Sequence, residues 1–402
     1  MKVRHSDGKK LKIDALRIAI VIPSVEFGSY WRPVLYELTK ICKNTIFYTG
    51  CLWPKFDADA PGASAVKLVG KFKFVEATQV SGGYGRGFMV ASPKIVNELL
   101  EFKPHVVFAS AFSIWTVLAL LFKPLGGWKV VIIYDGSSPN TNFEDSKLRT
   151  LSRRLMVQFT DAFIANSNDG KKYLYEAIGA DKSKIFTKTY LVPEPQALRE
   201  RLEAAKPSEL ELKRPVFLFV GQVISRKGIK PLLEACSLLQ SQGYSNYSLL
   251  IIGDGAQREE LEVFVKDNNL TELVTWTGWV DYGQLGAYFQ NADVFVFPTF
   301  EDVWGMVVLE AMVFGKPILC SKGAGAYEMV IEGENGYLFD PQNPEEIAEG
   351  MRRFIDNPNL IASMGEKSKQ LIGQYTPETA AKSMAEVAMN VLQKSQINAE
   401  RY

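Results

Sequence analysis

Short apolar runs rich in Val, Ile and Phe recur along the chain, each too brief for a helix. In the first half they are Arg17 to Pro23, Asn44 to Thr49, Phe72 to Glu76, His105 to Ser110 and Trp128 to Tyr134. In the second half they open at Pro215, Ser248, Leu273 and Val294. Uninterrupted apolar runs of this length read as parallel strands covered on both faces. Helical segments separate several of them, which predicts βαβ units and an α/β fold. Val106 to Phe122 contains Ser110, Ser113 and Thr116, and reads as a strand followed by a buried helix rather than a membrane span. Near the end, KPILCSKGAGAYEMV and NGYLFD predict a strand, a Gly-rich turn, a short helix and a hairpin-like edge.

Two segments stand out by their local pattern. Lys147 to Phe159, KLRTLSRRLMVQF, mixes Lys147, Arg149, Arg153 and Arg154 with apolar residues at helical spacing. Such a helix either lies on an anionic bilayer or is an ordinary surface helix. Ala162 to Phe186 predicts strand, cap, helix and strand, with Asn166 to Asp169 capping the helix.

A chain of 402 residues exceeds what one core usually holds, so two domains are expected. The four prolines and many charges between Val192 and Pro215 place the linker there. The expected division is 1–195, a linker at 196–215, 216–375 and a final helix at 376–402. Composition is ordinary for a globular protein, with 47% hydrophobic and 23% charged residues. The N-terminal MKVRHSDGKKLKID has charges without an apolar core directly after them, so a secretory signal is not expected and a cytoplasmic location is.

Charge changes the picture more. Residues 1–195 hold 27 Lys+Arg against 17 Asp+Glu, while the remainder holds 19 against 28. A basic first half suggests an anionic partner, either a membrane surface or a phosphate-bearing acceptor, unless the two halves simply attract one another. No nucleic-acid partner is expected. The cysteines Cys42, Cys51, Cys236 and Cys320 lack CxxC spacing, which argues against zinc and against a disulfide framework. With His5 and His105 as the two histidines, a histidine-based triad or multi-histidine metal site is nearly excluded.

The stretch Asn291 to Lys316, NADVFVFPTFEDVWGMVVLEAMVFGK, concentrates the candidate chemistry. Val294 to Phe297 predicts a buried strand, Pro298 stops it, and Gly305 precedes a helix over Met306 to Phe314. The first turn of such a helix presents unpaired N–H groups and a positive dipole end, a place for phosphate. Asp302 and Glu310 flank the junction, Glu310 roughly 7.5 Å beyond Gly305 along the axis. Each carboxylate has the chemistry to hold a vicinal diol, one on a sugar ring and one on a ribose. On the plainer alternative, Glu310 is a salt-bridged core residue and Asp302 a helix cap. In PVFLFVGQVISRKG, from Pro215 to Gly228, Arg226 and Lys227 offer cations in a loop between strand and helix.

The Asn291 stretch resembles the acid-x7-Glu signature of retaining glycosyltransferases of family four, and the similarity extends over most of Val216 to Arg353. That resemblance implies a GT-B fold: α/β, two Rossmann-like domains with parallel sheets facing a central cleft, and a C-terminal helix returning to the first. It implies transfer of a sugar from a nucleoside-diphosphate sugar, UDP- or GDP-linked, to an acceptor hydroxyl on a carbohydrate or lipid. No metal or other cofactor is expected. The catalytic candidates are Asp302 and Lys227 at the family's positions, with Lys227 on the diphosphate, together with Asp135 and with Arg226 as a substitute cation from a different backbone position. The implied donor-binding residues are Gly28, Ser29, Gln222, Val280, Val303, Trp304, Gly305, Met306 and Glu310.

The chain departs from the family where Asp302 replaces Glu, where Gln222 replaces Arg after Gly221, and where Gly28-Ser29 replaces a glycine pair. Asp135 stands near the family's usual histidine, although an Asp-Gly turn is an equal reading. Losing two charged positions leaves open a catalytically weak nucleotide-binding or partner subunit. A nicotinamide-dependent oxidoreductase lacks its fingerprint at both glycine candidates: Ser81 to Gly87 has the wrong spacing, and Gly253-x-Gly255 has Arg258 in the third place.

Overall fold

A computed structural model describes residues 2–4, 10–24, 28–53, 56–78, 86–136, 138, 142, 146–199 and 210–399. Two compact units form. Residues up to Thr78, Gly85–Val192 and Tyr375 onward make the first, and Pro193–Gln374 make the second. The expected tail around His5, the glycine loop from Ser81 to Gly85, and linker positions 200–209 lie outside the described residues.

The first unit is built on a seven-stranded parallel sheet. Its order is Ile185–Thr187, Ala162–Ala165, Lys129–Tyr134, Val106–Ser110, Arg17–Ile22, Asn44–Thr49 and Val66–Leu68. The central strands are buried on both faces, which is why they read as continuous apolar runs. Helix Gly28–Ile41 follows the Arg17 strand, and the final helix Pro377–Ala399 packs against it within this unit.

Phe72–Glu76 was expected among the parallel strands and is not there. Strand Phe72–Thr78 pairs antiparallel with Arg86–Ala91 in a separate two-stranded sheet. The short sequence between these strands leaves no room for the crossover that parallel pairing needs. The cap expected over Asn166 to Asp169 belongs to Ser167, whose Oγ accepts from Gly170 N at 3.0 Å. Asn166 Oδ1 instead accepts the backbone N–H groups of Tyr190 and Leu191, both at 3.0 Å.

The second unit is a six-stranded parallel sheet. Its order is Val274–Gly278, Ser248–Ile252, Val216–Val220, Val294–Phe297, Ile318–Ser321 and Gly336–Phe339. The expected hairpin-like edge at NGYLFD is a parallel edge strand: Ile318 faces Gly336, where a Cβ would lie 1.9 Å from the Ile318 carbonyl oxygen. The three strands from Val216 to Gly278 grow the sheet one way, and the three from Val294 to Phe339 grow it the other. Strand order therefore reverses between the Val216 and Val294 strands. In open parallel sheets, loops leaving the carboxyl ends at such a reversal diverge and open a crevice.

Candidate functional site

The two loops at that reversal carry most of the second unit's candidate residues. After the Val216 strand the chain forms a tight turn at Ser225–Lys227, passes Gly228 at φ +66°, and enters helix Ile229–Ser241. A Cβ at Gly228 would sit 2.0 Å from the Pro298 carbonyl oxygen, so the absence of a side chain lets this turn press on the Val294 strand's exit. Phe300 N donates to Arg226 O at 2.9 Å, and Thr299 Oγ1 lies 3.0 Å from both Arg226 O and Glu301 O. Arg226 itself donates to Glu301 O at 2.8 Å.

Lys227 and Asp302 meet across this seam. Lys227 Nζ donates to Asp302 Oδ2 at 2.5 Å, and the Arg226 guanidinium stands 3.6 Å from the same oxygen. All three side chains are largely buried. Burial pushes the Lys227 ammonium below the ordinary lysine value; the Asp302 charge opposes that shift and Arg226 adds to it. The ammonium also lies 5.0 Å from the Phe297 ring centroid. Asp302 Oδ1 accepts from Trp304 N at 3.3 Å, so the carboxylate also orders its own loop.

A second seam braces the loop from its other side. Asp302 N donates to Gly323 O at 3.0 Å, and Gly325 N donates back to Asp302 O at 2.9 Å. Ser321 Oγ bridges Thr299 O at 2.5 Å and Gly323 N at 2.8 Å. Gly305, at φ +94°, then opens helix Met306–Val313. A glycine in that position supplies no side-chain acceptor; Val308 N turns back to Gly305 O at 3.0 Å, so the Met306 and Val307 amides are the ones water or a ligand would meet.

Glu310 is 2% exposed, on the second turn of this helix, and its Oε1 accepts from Tyr282 Oη at 2.9 Å. Tyr282 begins helix Tyr282–Asn291 just beyond Val280, which is half-buried past the Val274 strand. Sequence reasoning missed Tyr282, as it missed Thr299, Ser321 and Gly323. Only the glycine-rich KGAG hinted that another backbone comes close. Val303, Trp304 and Met306 flank Gly305, Trp304 and Met306 buried and Val303 half-buried, while Gln222 is exposed past the Val216 strand. Gly253 and Gly255 fill a packing role, since Cβ atoms there would lie 1.8 Å from Gly221 O and 2.5 Å from Val223 O.

Gly28, Ser29 and Asp135 belong to the first unit, at the carboxyl edge of its sheet. Gly28 and Ser29 start helix Gly28–Ile41. Asp135 Oδ1 accepts from the buried Tyr190 hydroxyl at 2.5 Å, and the Tyr190 ring stacks on Trp31 with centroids 5.4 Å apart. Burial, reinforced by the Asp135 charge, pushes the Tyr190 phenol well above its ordinary value, which keeps it a donor. This link from Asp135 through Tyr190 to the helix start was invisible to local patterns.

Residues 200–371 match the family model described as glycosyl transferases group 1. Among curated relatives, an uncharacterized glycosyltransferase of Haemophilus influenzae is 28% identical over 58% of this chain and 63% of its own. The D-inositol 3-phosphate glycosyltransferase of Streptomyces avermitilis is 25% identical over 72% of this chain and 63% of its own. The alpha-D-kanosaminyltransferase of Streptomyces kanamyceticus is 27% identical over 43% and 45%. The chain thus spans less than two thirds of the length of these relatives. The solved structure of Anabaena Alr3699/HepE in complex with UDP superposes with a TM-score of 0.73 at 17% identity, covering 92% of this chain and 99% of that one. Sucrose-phosphate synthase from Thermosynechococcus elongatus gives 0.69 at 18% identity, covering 96% and 100%. The fold is α/β of the GT-B class, with two Rossmann-like units.

Proposed function

We propose, on the match of residues 200–371 to the glycosyl transferases group 1 model, that the chain moves a sugar from a nucleoside-diphosphate sugar to an acceptor hydroxyl with retention of anomeric configuration. The observation that carries this is the grouping of Arg226, Lys227 and Asp302 beside the glycine-capped start of the Met306 helix, where strand order reverses. The UDP held by the Anabaena protein of like fold supports a diphosphate ligand.

A diphosphate arriving at the helix start competes with Asp302 for Lys227. Its oxygens take the ammonium, and Asp302 is released to accept hydroxyls of the sugar. As the glycosidic bond breaks, charge grows on the leaving diphosphate, where Lys227, Arg226 and the first amides of the helix meet it. Arg226 thereby stands in for the cation that Gln222 does not provide. The acceptor hydroxyl attacks from the same face and gives its proton to the departing phosphate, so no histidine is required. Glu310, oriented by Tyr282, holds the ribose diol. In the first unit, Asp135 is the proposed acceptor-side group, for a carbohydrate or lipid-linked acceptor, and the Gly28-Ser29 turn keeps its proposed donor-binding role.

Release of nucleoside diphosphate from a panel of UDP- and GDP-sugars, with the product's anomeric proton followed by NMR, tests this. Turnover with a retained anomer is expected. Nucleotide binding without turnover on any donor would assign the chain to a nucleotide-binding partner role instead, and no nucleotide binding at all would remove the donor site.

A further inference from the structure

Helix Lys147–Phe159 turns an apolar stripe to solvent. Its arginines turn toward the protein: Arg149 donates to Gly87 O at 2.9 Å, Arg153 to Asn142 O at 2.7 Å, and Arg154 to Ala177 O at 2.9 Å. Leu148, Leu151, Leu155 and Phe159, which share one face at helical spacing, point outward. Lys123 Nζ donates to Phe159 O at 2.9 Å and so ties the neighbouring turn, with Leu121 and Leu125, to the end of this stripe. All six apolar side chains are between 57% and 78% exposed. A ridge of this kind is unusual on a surface that only meets water.

We propose that this ridge docks on an anionic lipid bilayer, with the Lys147 helix lying in the interface plane. Charge selects that occupant. Neither Phe112 to Gly127 nor Lys147 to Phe159 contains an acidic residue, and Asp161 beyond the stripe is paired with Lys123 at 2.6 Å. Lys147 stands exposed two turns from Arg154, which remains exposed while it donates to Ala177 O, both on one flank of the stripe. A symmetric contact with a second copy would set that basic flank against itself. Among the described residues no helix is long and apolar enough to cross a membrane, so the contact is peripheral.

Flotation of the full chain with phosphatidylcholine vesicles, with or without about one third phosphatidylglycerol, tests the proposal. Binding to the anionic vesicles is expected, weakened but not abolished by salt. Leu148→Ser, Leu151→Ser and Leu155→Ser combined should lower partitioning about a hundredfold or more, because each leucine leaving hydrocarbon is worth about a factor of ten. Lys147→Glu with Arg154→Glu should lower it about tenfold and leave circular dichroism unchanged. The single Leu151→Glu variant serves as the folded control if the triple variant unfolds. A wild-type chain that stays behind with anionic vesicles overturns the proposal. A leucine variant that floats as well as wild type does so too. Dimers in sedimentation that the leucine substitutions dissolve, without vesicle binding, would give the ridge to a second copy.

Discussion

The Lys227 ammonium stands 2.5 Å from the Asp302 carboxylate, joining two loops 75 residues apart in sequence. With both side chains almost out of water, each is the other's main compensation, and Arg226 at 3.6 Å adds a second cation. Lys227→Ala should therefore cost about 1–3 kcal/mol in urea unfolding, because it leaves a buried carboxylate with one weaker partner. It should also weaken nucleoside-diphosphate binding at least about tenfold in calorimetry. Lys227→Ala combined with Asp302→Ala should recover stability but not affinity. Recovery of both would place the diphosphate elsewhere.

Affinity should depend on pH through the same lysine. Burial holds its ammonium below the ordinary lysine value, so its charge is lost at a lower pH than a surface lysine would lose it. Nucleoside-diphosphate affinity should fall as pH rises through that lowered value. Lys227→Arg keeps its charge over the whole range and should show no such fall. A titration in which both proteins weaken together would point to another group.

Glu310 and Tyr282 make a separable pair. Glu310→Gln removes the charge but keeps the shape, and should weaken nucleotide binding about tenfold, or about 1.4 kcal/mol. Tyr282→Phe leaves the carboxylate charged but unsteered, and should cost about threefold in affinity. Unchanged binding by a folded Glu310→Gln protein would withdraw the ribose assignment.

Gly228→Ala should destabilise the second unit by about 2 kcal/mol or more, since an alanine there is strained at φ +66° and meets the Pro298 carbonyl oxygen. Denaturant midpoints would measure this. The displaced turn carries Arg226 and Lys227, so a diphosphate should bind more weakly even where the protein remains folded.

Lys316 gives stability its own pH dependence. Its Nζ donates to Ala292 O at 2.7 Å, and burial lowers its pKa to about 8, with Asp293 opposing. The unfolded chain keeps this proton up to about pH 10.5, so between about 8 and 10.5 it binds more protons than the native state. Stability should accordingly rise with pH across that window, by on the order of 3 kcal/mol. Lys316→Met should remove that component of the rise.

Much of the fold was readable along the chain because it depends on local pattern. Asn44–Thr49, Val294–Phe297 and Lys147–Phe159 form as elements with the limits their apolar spacing predicts. That Lys227, Asp302 and Gly305 lie in the loops between a strand and a helix was readable from residue type and position. The errors fell where partners decide. Phe72–Thr78 has the composition of a buried strand yet pairs in a hairpin, and Gly336–Phe339 looked like a hairpin yet pairs in parallel.

By itself, then, the sequence determined the elements, the two-part α/β architecture and the residues with chemistry to offer, since hydrophobic period, turn residues and caps act over a few positions. Only the tertiary structure decided which strands are neighbours, and hence where the strand order reverses and which loops meet. It alone brought Lys227 to Asp302, Tyr282 to Glu310 and Tyr190 to Asp135, and turned the leucines of the Lys147 helix outward. The physical reason is that packing, register and ion pairing are settled between segments far apart in the chain, where no local preference reaches.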